Sequence, residues 1–224
     1  MEQFRLTPLV EVINLSKSYG DKKILEGISF KVYPGEIFAI VGKTGVGKTT
    51  LLHCILGILN YQGEVHLNGS YSFSPQRPAF YPELTLKENL FHFGRIQKIT
   101  NLEAKAKHLL KLVDLNDEEN ELAKNLSGGM AKRFDLACAL INNPKIIFLD
   151  EPTSDLDIVT RNKIMKIIKV LAAQGRAIVL VSHEISELGC ANKIAILHNK
   201  KFVALAEPKK LSPLEKTFEK LTCY

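Results

Sequence analysis

An α/β fold with a mostly parallel sheet is predicted by two patterns of apolar residues. Four short runs are apolar at nearly every position, and helical segments separate them; these runs are 37–41, 145–149, 177–181 and 194–197. Strands that helices cover on both faces have this composition. Residues 10–32 alternate instead, with Ile28, Phe30 and Val32 on one side of a strand. This alternation predicts an N-terminal antiparallel β lobe.

The middle of the chain interrupts this pattern. Between Pro82 and Asn125 there is no strand-like run. Thr85 and Thr100 are each followed three residues later by Glu, which is the spacing of a helix capping box. We therefore predict an inserted α-helical subdomain of two or three helices at about 82–125, within a single domain that covers residues 1–224.

Composition excludes several classes of protein. The formal net charge of +6 is modest and the lysines are scattered, which is typical of a solvated surface, and no basic patch interleaved with aromatic residues suggests nucleic-acid binding. The four cysteines form no CxxC pair, so we do not expect a metal or redox site. The same spacing favours a reducing intracellular compartment. Residues 1–10 do not resemble a signal peptide, and no run of about 18 apolar residues predicts a membrane span.

Residues Gly42 to Thr49 have the spacing of a phosphate-binding loop: Gly, four residues, then Gly-Lys-Thr. The loop follows a predicted buried strand and precedes a helix whose apolar face is Leu51, Leu52, Ile55 and Leu59. Its glycines allow backbone N–H groups to surround phosphate oxygens. Lys48 is expected to contact the β- and γ-phosphates and Thr49 a Mg²⁺ ion. The sequence therefore predicts a P-loop NTPase core that binds a nucleoside triphosphate and Mg²⁺, and the family resemblance described below implies ATP.

An acidic pair follows the predicted strand at 145–149. Asp150 and Glu151 are expected at the carboxyl edge of the sheet, where ligands of open α/β sheets gather. A carboxylate at Asp150 suits Mg²⁺, and one at Glu151 suits a group that orients or deprotonates the attacking water.

A second glycine pair opens another predicted helix. Ser127 is the expected N-cap, Gly128 and Gly129 follow it, and the buried stripe is expected at Phe134, Ala137, Cys138 and Ile141. Two glycines at the positive end of a helix expose backbone donors to an anion, yet no lysine accompanies them. We expect these residues to complete a phosphate site that is built elsewhere, although capping alone would also explain Ser127.

In this order the motifs resemble those of the ATP-binding cassette (ABC) family over nearly the entire chain. The matching segments are Gly42–Thr50 (Walker A), Gln76 (Q-loop), Leu126–Met130 (signature), Ile146–Asp150 with Glu151 (Walker B), Ser154–Asp157 (D-loop) and His183 (switch histidine), and Tyr19 occupies the place of the adenine-stacking aromatic. Three residues depart from the commonest pattern, namely Met130, Asp155 and Lys43, and none of them removes a catalytic group.

The resemblance implies an ATPase that works as a head-to-tail dimer with two ATP molecules between the subunits. It assigns catalysis to Lys48, Glu151 and His183, and metal contacts to Thr49, Gln76 and Asp150. The nucleotide contacts that it implies are Tyr19, Gly42, Lys43, Thr44, Gly45, Val46, Gly47, Lys48, Thr49, Thr50 and Gln76 of one subunit with Ser127, Gly128 and Gly129 of the other.

The same resemblance suggests a transporter. Without a membrane span of its own, such a cassette is expected at the cytoplasmic face of the cell membrane, bound to a membrane-spanning permease and to a second ATPase subunit, in a homodimer. The segments Leu126–Met130 and Pro213–Thr222 resemble those of the ABC-2 exporter group, although Leu214, Phe218 and Leu221 would equally form an amphipathic helix on the core. An importer ATPase and a soluble cassette of iron–sulfur assembly or of a nucleic-acid machine remain alternatives.

Overall fold

The computed structural model describes residues 7–184, 188–206 and residue 218. Nine strands and five α-helices lie within these residues. In chain order they are β1 (Val10–Tyr19), β2 (Lys22–Val32), β3 (Ile37–Val41), α1 (Lys48–Ile55), β4 (Gln62–Leu67), β5 (Tyr71–Ser74), α2 (Leu86–Ile96), α3 (Leu102–Leu112), α4 (Gly128–Ala139), β6 (Ile146–Asp150), α5 (Ile158–Ala173), β7 (Ala177–Ser182), β8 (Lys193–His198) and β9 (Lys201–Ala206).

The main sheet has the predicted parallel arrangement. Its strand order is β5-β6-β7-β3-β8-β9, and every neighbouring pair is parallel except β8 with β9. The four predicted runs became β3, β6, β7 and β8, and successive residues of β3 lie in different cores: Ile37 and Ala39 in one, Phe38 and Ile40 in the other. Burial on both faces explains why these strands lack alternation.

The register of the central strands decides where the functional side chains emerge. Val41 of β3 is level with Ser182 of β7, and Asp150 of β6 is level with Val181 of β7. The residues that follow these strands therefore leave the sheet at one edge, side by side. Gly42, Glu151 and His183 are the first residues beyond the three strand ends.

The N-terminal β lobe is a separate sheet of order β2-β1-β4, antiparallel throughout. Ile28, Phe30 and Val32 are buried, as the alternation predicted. The sequence did not predict β4, β5 or β9. The burial of β4 gives the reason: its six residues are exposed or half-buried, so they carry no continuous apolar signal.

Residues 82–125 contain α2, α3 and a short 3₁₀ turn at Ala123–Asn125. The Thr85 capping box is confirmed, since Thr85 accepts the Glu88 N–H and the Glu88 side chain accepts the Thr85 N–H. The Thr100 box is wrong. Asn101 is the N-cap of α3, in a left-handed conformation and without a side-chain cap. The definition of residues 82–125 as an inserted subdomain within one domain stays a proposal.

Smaller differences concern the ends of helices. α1 ends at Ile55 and α4 at Ala139, so Leu59 and Ile141 lie beyond the helices to which they were assigned, although both still pack against the cores. Cys138 is half-buried rather than buried. The predicted tail helix over 213–222 lies outside the described residues, apart from Phe218, which packs against the larger core.

The two threonines allow a matched test of helix capping. Replacing Thr85 with Ala removes the acceptor for the Glu88 N–H, so we expect the free energy of unfolding to fall by about 1 kcal/mol. Thr100→Ala should change it by less than about 0.5 kcal/mol, because no cap is lost. Urea denaturation followed by circular dichroism measures both, and equal losses would contradict the capping described above.

Candidate nucleotide-binding site

The loop from Gly42 to Thr49 has a backbone that needs its glycines. Gly45 and Gly47 have φ angles of 81° and 111°, which other residues rarely adopt. A Cβ at Gly42 would lie 2.6 Å from the carbonyl oxygen of Leu197, so a larger residue does not fit there. α1 begins at Lys48 without a side-chain cap, which leaves its first N–H groups without a side-chain acceptor. Such a helix end is suited to phosphate oxygens.

Lys48 lies buried beneath this loop. Its Nζ donates hydrogen bonds to the carbonyl oxygens of Gly42, at 2.9 Å, and Lys43, at 3.3 Å. Its charge is paired with Glu151, since Nζ lies 3.3 Å from Oε1 of that carboxylate. Lys48 therefore lies against the loop, and Glu151 neutralises its positive charge.

Glu151 joins the residues that the motifs singled out. Its second oxygen, Oε2, accepts a hydrogen bond from Nε2 of Gln76 at 3.2 Å and lies 3.2 Å from Nδ1 of His183. Its φ angle of 49° is unusual for a residue other than glycine. Lys48, Gln76 and His183, from three separate segments, thus meet at one carboxylate. We call these four residues the Glu151 cluster.

Asp150 provides the test for a metal ion. The residue is 2% exposed, and its Oδ1 has no hydrogen-bond partner. Burial raises the pKa of Asp150, and a hydrogen bond with the Thr49 hydroxyl offsets this only in part. A buried carboxylate oxygen without a partner, next to a hydroxyl, fits Mg²⁺, which prefers oxygen ligands. Because Gln76 uses Nε2 toward Glu151, its amide oxygen is the atom suited to a cation.

Tyr19 lies at the end of β1 and is 50% exposed. The β2 strand that pairs with it also contacts the phosphate loop, since a Cβ on Gly47 would lie 3.1 Å from Cγ2 of Ile24. The Nζ of Lys17 lies 4.7 Å from the centre of the Tyr19 ring and donates to the carbonyl oxygen of Asn60 at 2.7 Å. The sequence analysis did not identify Lys17. It lies two residues before Tyr19, which is the spacing that places two side chains on one face of a strand.

The glycine pair at the start of α4 does not join the Glu151 cluster. Ser127 caps the helix, accepting the Met130 N–H at 3.3 Å, and both Ser127 and Gly128 are exposed. A Cβ on Gly128 would meet nothing within 4 Å, whereas one on Gly129 would lie 2.8 Å from Cγ2 of Thr160. Within the described part of the chain, no hydrogen bond or ion pair connects Ser127 with the cluster.

The D-loop lies between these two sites. Ser154 donates from Oγ to the carbonyl oxygen of Glu151 at 3.1 Å, and Asp157 caps α5 by accepting the N–H groups of Val159 and Thr160. Asp155 has a φ angle of 60°, in the left-handed region. The loop after Glu151 is therefore held by local hydrogen bonds at both ends.

Two polar residues of α4 near the cluster were missed. Lys132 donates from Nζ to the carbonyl oxygen of Gln76. Asp135 accepts hydrogen bonds from Ser74, before Gln76, and from Ala79, after it. Their spacing on a helix indicates a shared face, but nothing in the sequence indicates that this face contacts residues 74–79.

None of the helices in the described part of the chain is long and apolar enough to cross a membrane.

Comparison with known proteins gives consistent results. Residues 25–154 match the family described as "ABC transporter". The chain is 31% identical over 213 residues to the Linearmycin resistance ATP-binding protein LnrL of Bacillus subtilis, covering 88% of this chain and 68% of the relative. It is 36% identical over 196 residues to the Nod factor export ATP-binding protein I of Rhizobium meliloti, covering 81% and 58%. The Putrescine transport ATP-binding protein PotG of Escherichia coli is 32% identical over 222 residues, covering 92% and 59%.

A solved structure described as the ATP binding subunit of an ABC transporter has the same fold. It superimposes with a TM-score of 0.82 at 26% identity and covers 96% of this chain and 95% of its own. The chain thus spans 58% to 68% of the length of the three relatives named above and nearly all of this solved subunit.

Asp150→Asn is expected to separate stability from metal binding. Because burial raises the pKa of Asp150, the folded state binds this proton more tightly than the unfolded chain does. Wild-type stability therefore falls as the pH rises from the ordinary value of about 4 through the raised one. At pH 7 the neutral Asn costs less free energy to bury, so we expect nucleotide-free Asp150→Asn to melt about 2 °C higher.

This gain should vanish only well below about pH 4, where Asp150 is protonated in both the folded and the unfolded state. At pH 7, Mg²⁺ should no longer strengthen ATP binding by the variant. Differential scanning fluorimetry and nucleotide titration measure the two effects, with the exposed Asp117→Asn as a control that should change neither. A lower melting temperature at pH 7 together with an intact Mg²⁺ dependence would be the contrary result.

Proposed function

The chain belongs to the ABC transporter family, in which it is an ATP-binding subunit and an ATPase, and we propose that it drives export through a separate membrane-spanning permease. The observation that carries the catalytic part of this proposal is the Glu151 cluster, in which Lys48, Gln76 and His183 meet one carboxylate at the edge of the sheet. In an ATPase these are the groups needed to hold a terminal phosphate and to orient the attacking water.

In this proposal ATP binds with its phosphates over the loop from Gly42 to Thr49 and its adenine against Tyr19. Lys48 leaves the Glu151 carboxylate and binds phosphate oxygens, because the triphosphate carries more negative charge than one carboxylate. Glu151 is then available to accept a hydrogen bond from water and draw its proton, while His183 contacts the γ-phosphate.

Thr49, Asp150 and Gln76 would hold Mg²⁺, whose charge stabilises the negative charge that develops on the phosphates. The buried, unpartnered Oδ1 of Asp150 supports this assignment. Asp150 lies directly beside Glu151 in sequence, so the same strand end would hold the metal and the group that acts on water.

A second subunit would complete the site, and we propose a homodimer. Ser127 and Gly128 are exposed at the start of α4 and have no contact with the Glu151 cluster among the described residues. Their donors would bind the γ-phosphate held by the partner's loop, with Gly129 packed against Thr160 to fix the start of the helix. This arrangement explains why one chain carries a phosphate loop and a separate glycine pair.

Export is favoured by two observations. Two of the relatives are named for resistance to linearmycin and for Nod factor export, and the Leu126–Met130 signature resembles that of ABC-2 exporters. The putrescine transport protein, 32% identical, leaves transport of a small polyamine as a second candidate. In either case the chain would sit at the cytoplasmic face of the membrane, against its permease.

Glu151→Gln tests the catalytic part of the proposal. The amide keeps the size of the side chain but accepts no proton, so we expect hydrolysis to slow at least a hundredfold, about 3 kcal/mol of barrier. ATP should still bind and trap a dimer, which size-exclusion chromatography detects. The control is Glu83→Gln, which removes an exposed carboxylate that pairs with Lys124 at the surface. Turnover at the wild-type rate in Glu151→Gln would remove Glu151 from this role.

Affinity purification from a detergent extract tests the transport part. We expect the full-length protein, trapped with ATP as Glu151→Gln, to recover a polypeptide with several membrane spans, identified by mass spectrometry. Recovery of that polypeptide should fall when the extract is washed without nucleotide. A complex made only of soluble proteins would contradict the proposal and favour a cassette that serves a non-transport machine.

A further inference from the structure

The short loop that carries Gln76 has little structure of its own. It follows β5 and is bracketed by Pro75 and Pro78, which donate no backbone hydrogen bond. Gln76 and Arg77 between them are exposed. Contacts from outside the loop must therefore determine where the Gln76 amide lies.

Those contacts come from one face of α4. Asp135 accepts a hydrogen bond from Oγ of Ser74, before the loop, and from the N–H of Ala79, after it, the latter at 2.9 Å. Lys132, three residues earlier on the helix, donates from Nζ to the carbonyl oxygen of Gln76 itself. The two side chains thus hold the start, the middle and the end of the loop.

The two residues do not contribute equally. Asp135 is 3% exposed and binds the flanks of the loop, so its removal leaves the buried Ser74 hydroxyl without this partner. Lys132 is half-buried and binds the main chain of the residue that reaches Glu151. Burial lowers the pKa of Lys132, and the carboxylates of Asp135, Asp150, Glu151 and Asp155 offset this only in part.

We propose that Lys132 is a positioning residue for ATP hydrolysis, which holds the main chain of Gln76 so that the amide side chain meets Glu151. The inference rests on the proposed roles of Gln76 and Glu151. Lys132 touches neither reacting atoms nor phosphate in this proposal, and it acts through the main chain at the centre of the loop. The 3.2 Å hydrogen bond from Gln76 to Glu151 is the contact that it maintains.

The first test uses the nucleotide-free, full-length protein. Lys132→Met keeps the length of the side chain but removes the donor that holds the loop. The Ala79 N–H, which donates to Asp135 at the end of the loop, should then open more often, and its hydrogen exchange should accelerate at least about fivefold. Lys132→Arg should restore slow exchange. Lys163→Met is the matched control, because it removes an ammonium on α5 whose Nζ lies 2.7 Å from Oδ2 of Asp114, and neither residue belongs to the loop. Unchanged exchange in Lys132→Met would overturn the inference.

The second test uses turnover. Misplacing a group that positions water lowers kcat more than it weakens substrate binding, so Lys132→Met should reduce kcat about tenfold with KM for Mg-ATP within about twofold of wild type. Lys132→Arg should recover most of kcat, and Lys163→Met should match wild type.

A double-mutant cycle identifies the path of the effect. Because Lys132 acts through Gln76, adding Lys132→Met to Gln76→Ala should lower kcat by less than about twofold. A full tenfold loss in that background would overturn the inference, as would a wild-type kcat for Lys132→Met. If Glu151→Gln abolishes hydrolysis while Lys132→Met does not lower it, only the inference fails; an active Glu151→Gln overturns the proposed function.

Discussion

The ion pair between Lys48 and Glu151 is the interaction on which the arrangement of the site depends. Lys48 is buried, and a buried ammonium without a partner carries a desolvation cost of several kcal/mol. Glu151 supplies the opposite charge at 3.3 Å and with its other oxygen binds Gln76 and lies against His183. The two charges therefore compensate each other, and in the proposed function an incoming triphosphate would compete with Glu151 for the lysine. Triphosphate binding and release of the Glu151 carboxylate would then be one event.

The parallel sheet makes this meeting possible. β6, β7 and β3 are neighbours, and their register sets Asp150 level with Val181 and Val41 level with Ser182. β5 adds a fourth strand, with Ser74 level with Leu149, so the loop with Gln76 leaves at the same edge. Residues that are 75 positions apart, such as Gln76 and Glu151, are thus joined by strand pairing, and α4 holds the loop between them.

Much of this was accessible from the sequence because the information was local. The phosphate loop, the buried runs and the Ser127 cap are each encoded within a few residues, and the structure contains all of them. The Thr100 box failed because its spacing was present but the left-handed Asn101 begins the helix instead. Lys132 and Asp135 went unnoticed because they contact a loop 56 residues away, with no periodicity to mark it. The exposed strand β4 was missed because it lacks an apolar pattern.

The exchange of partners at Lys48 is tested most directly by a crystal structure of the protein with Mg²⁺ and a non-hydrolysable ATP analogue. We expect Nζ of Lys48 to bind oxygens of the terminal phosphates and to lie more than about 4 Å from Glu151, beyond the range of an ion pair. A bound triphosphate with the 3.3 Å contact between Lys48 and Glu151 intact would contradict this mechanism.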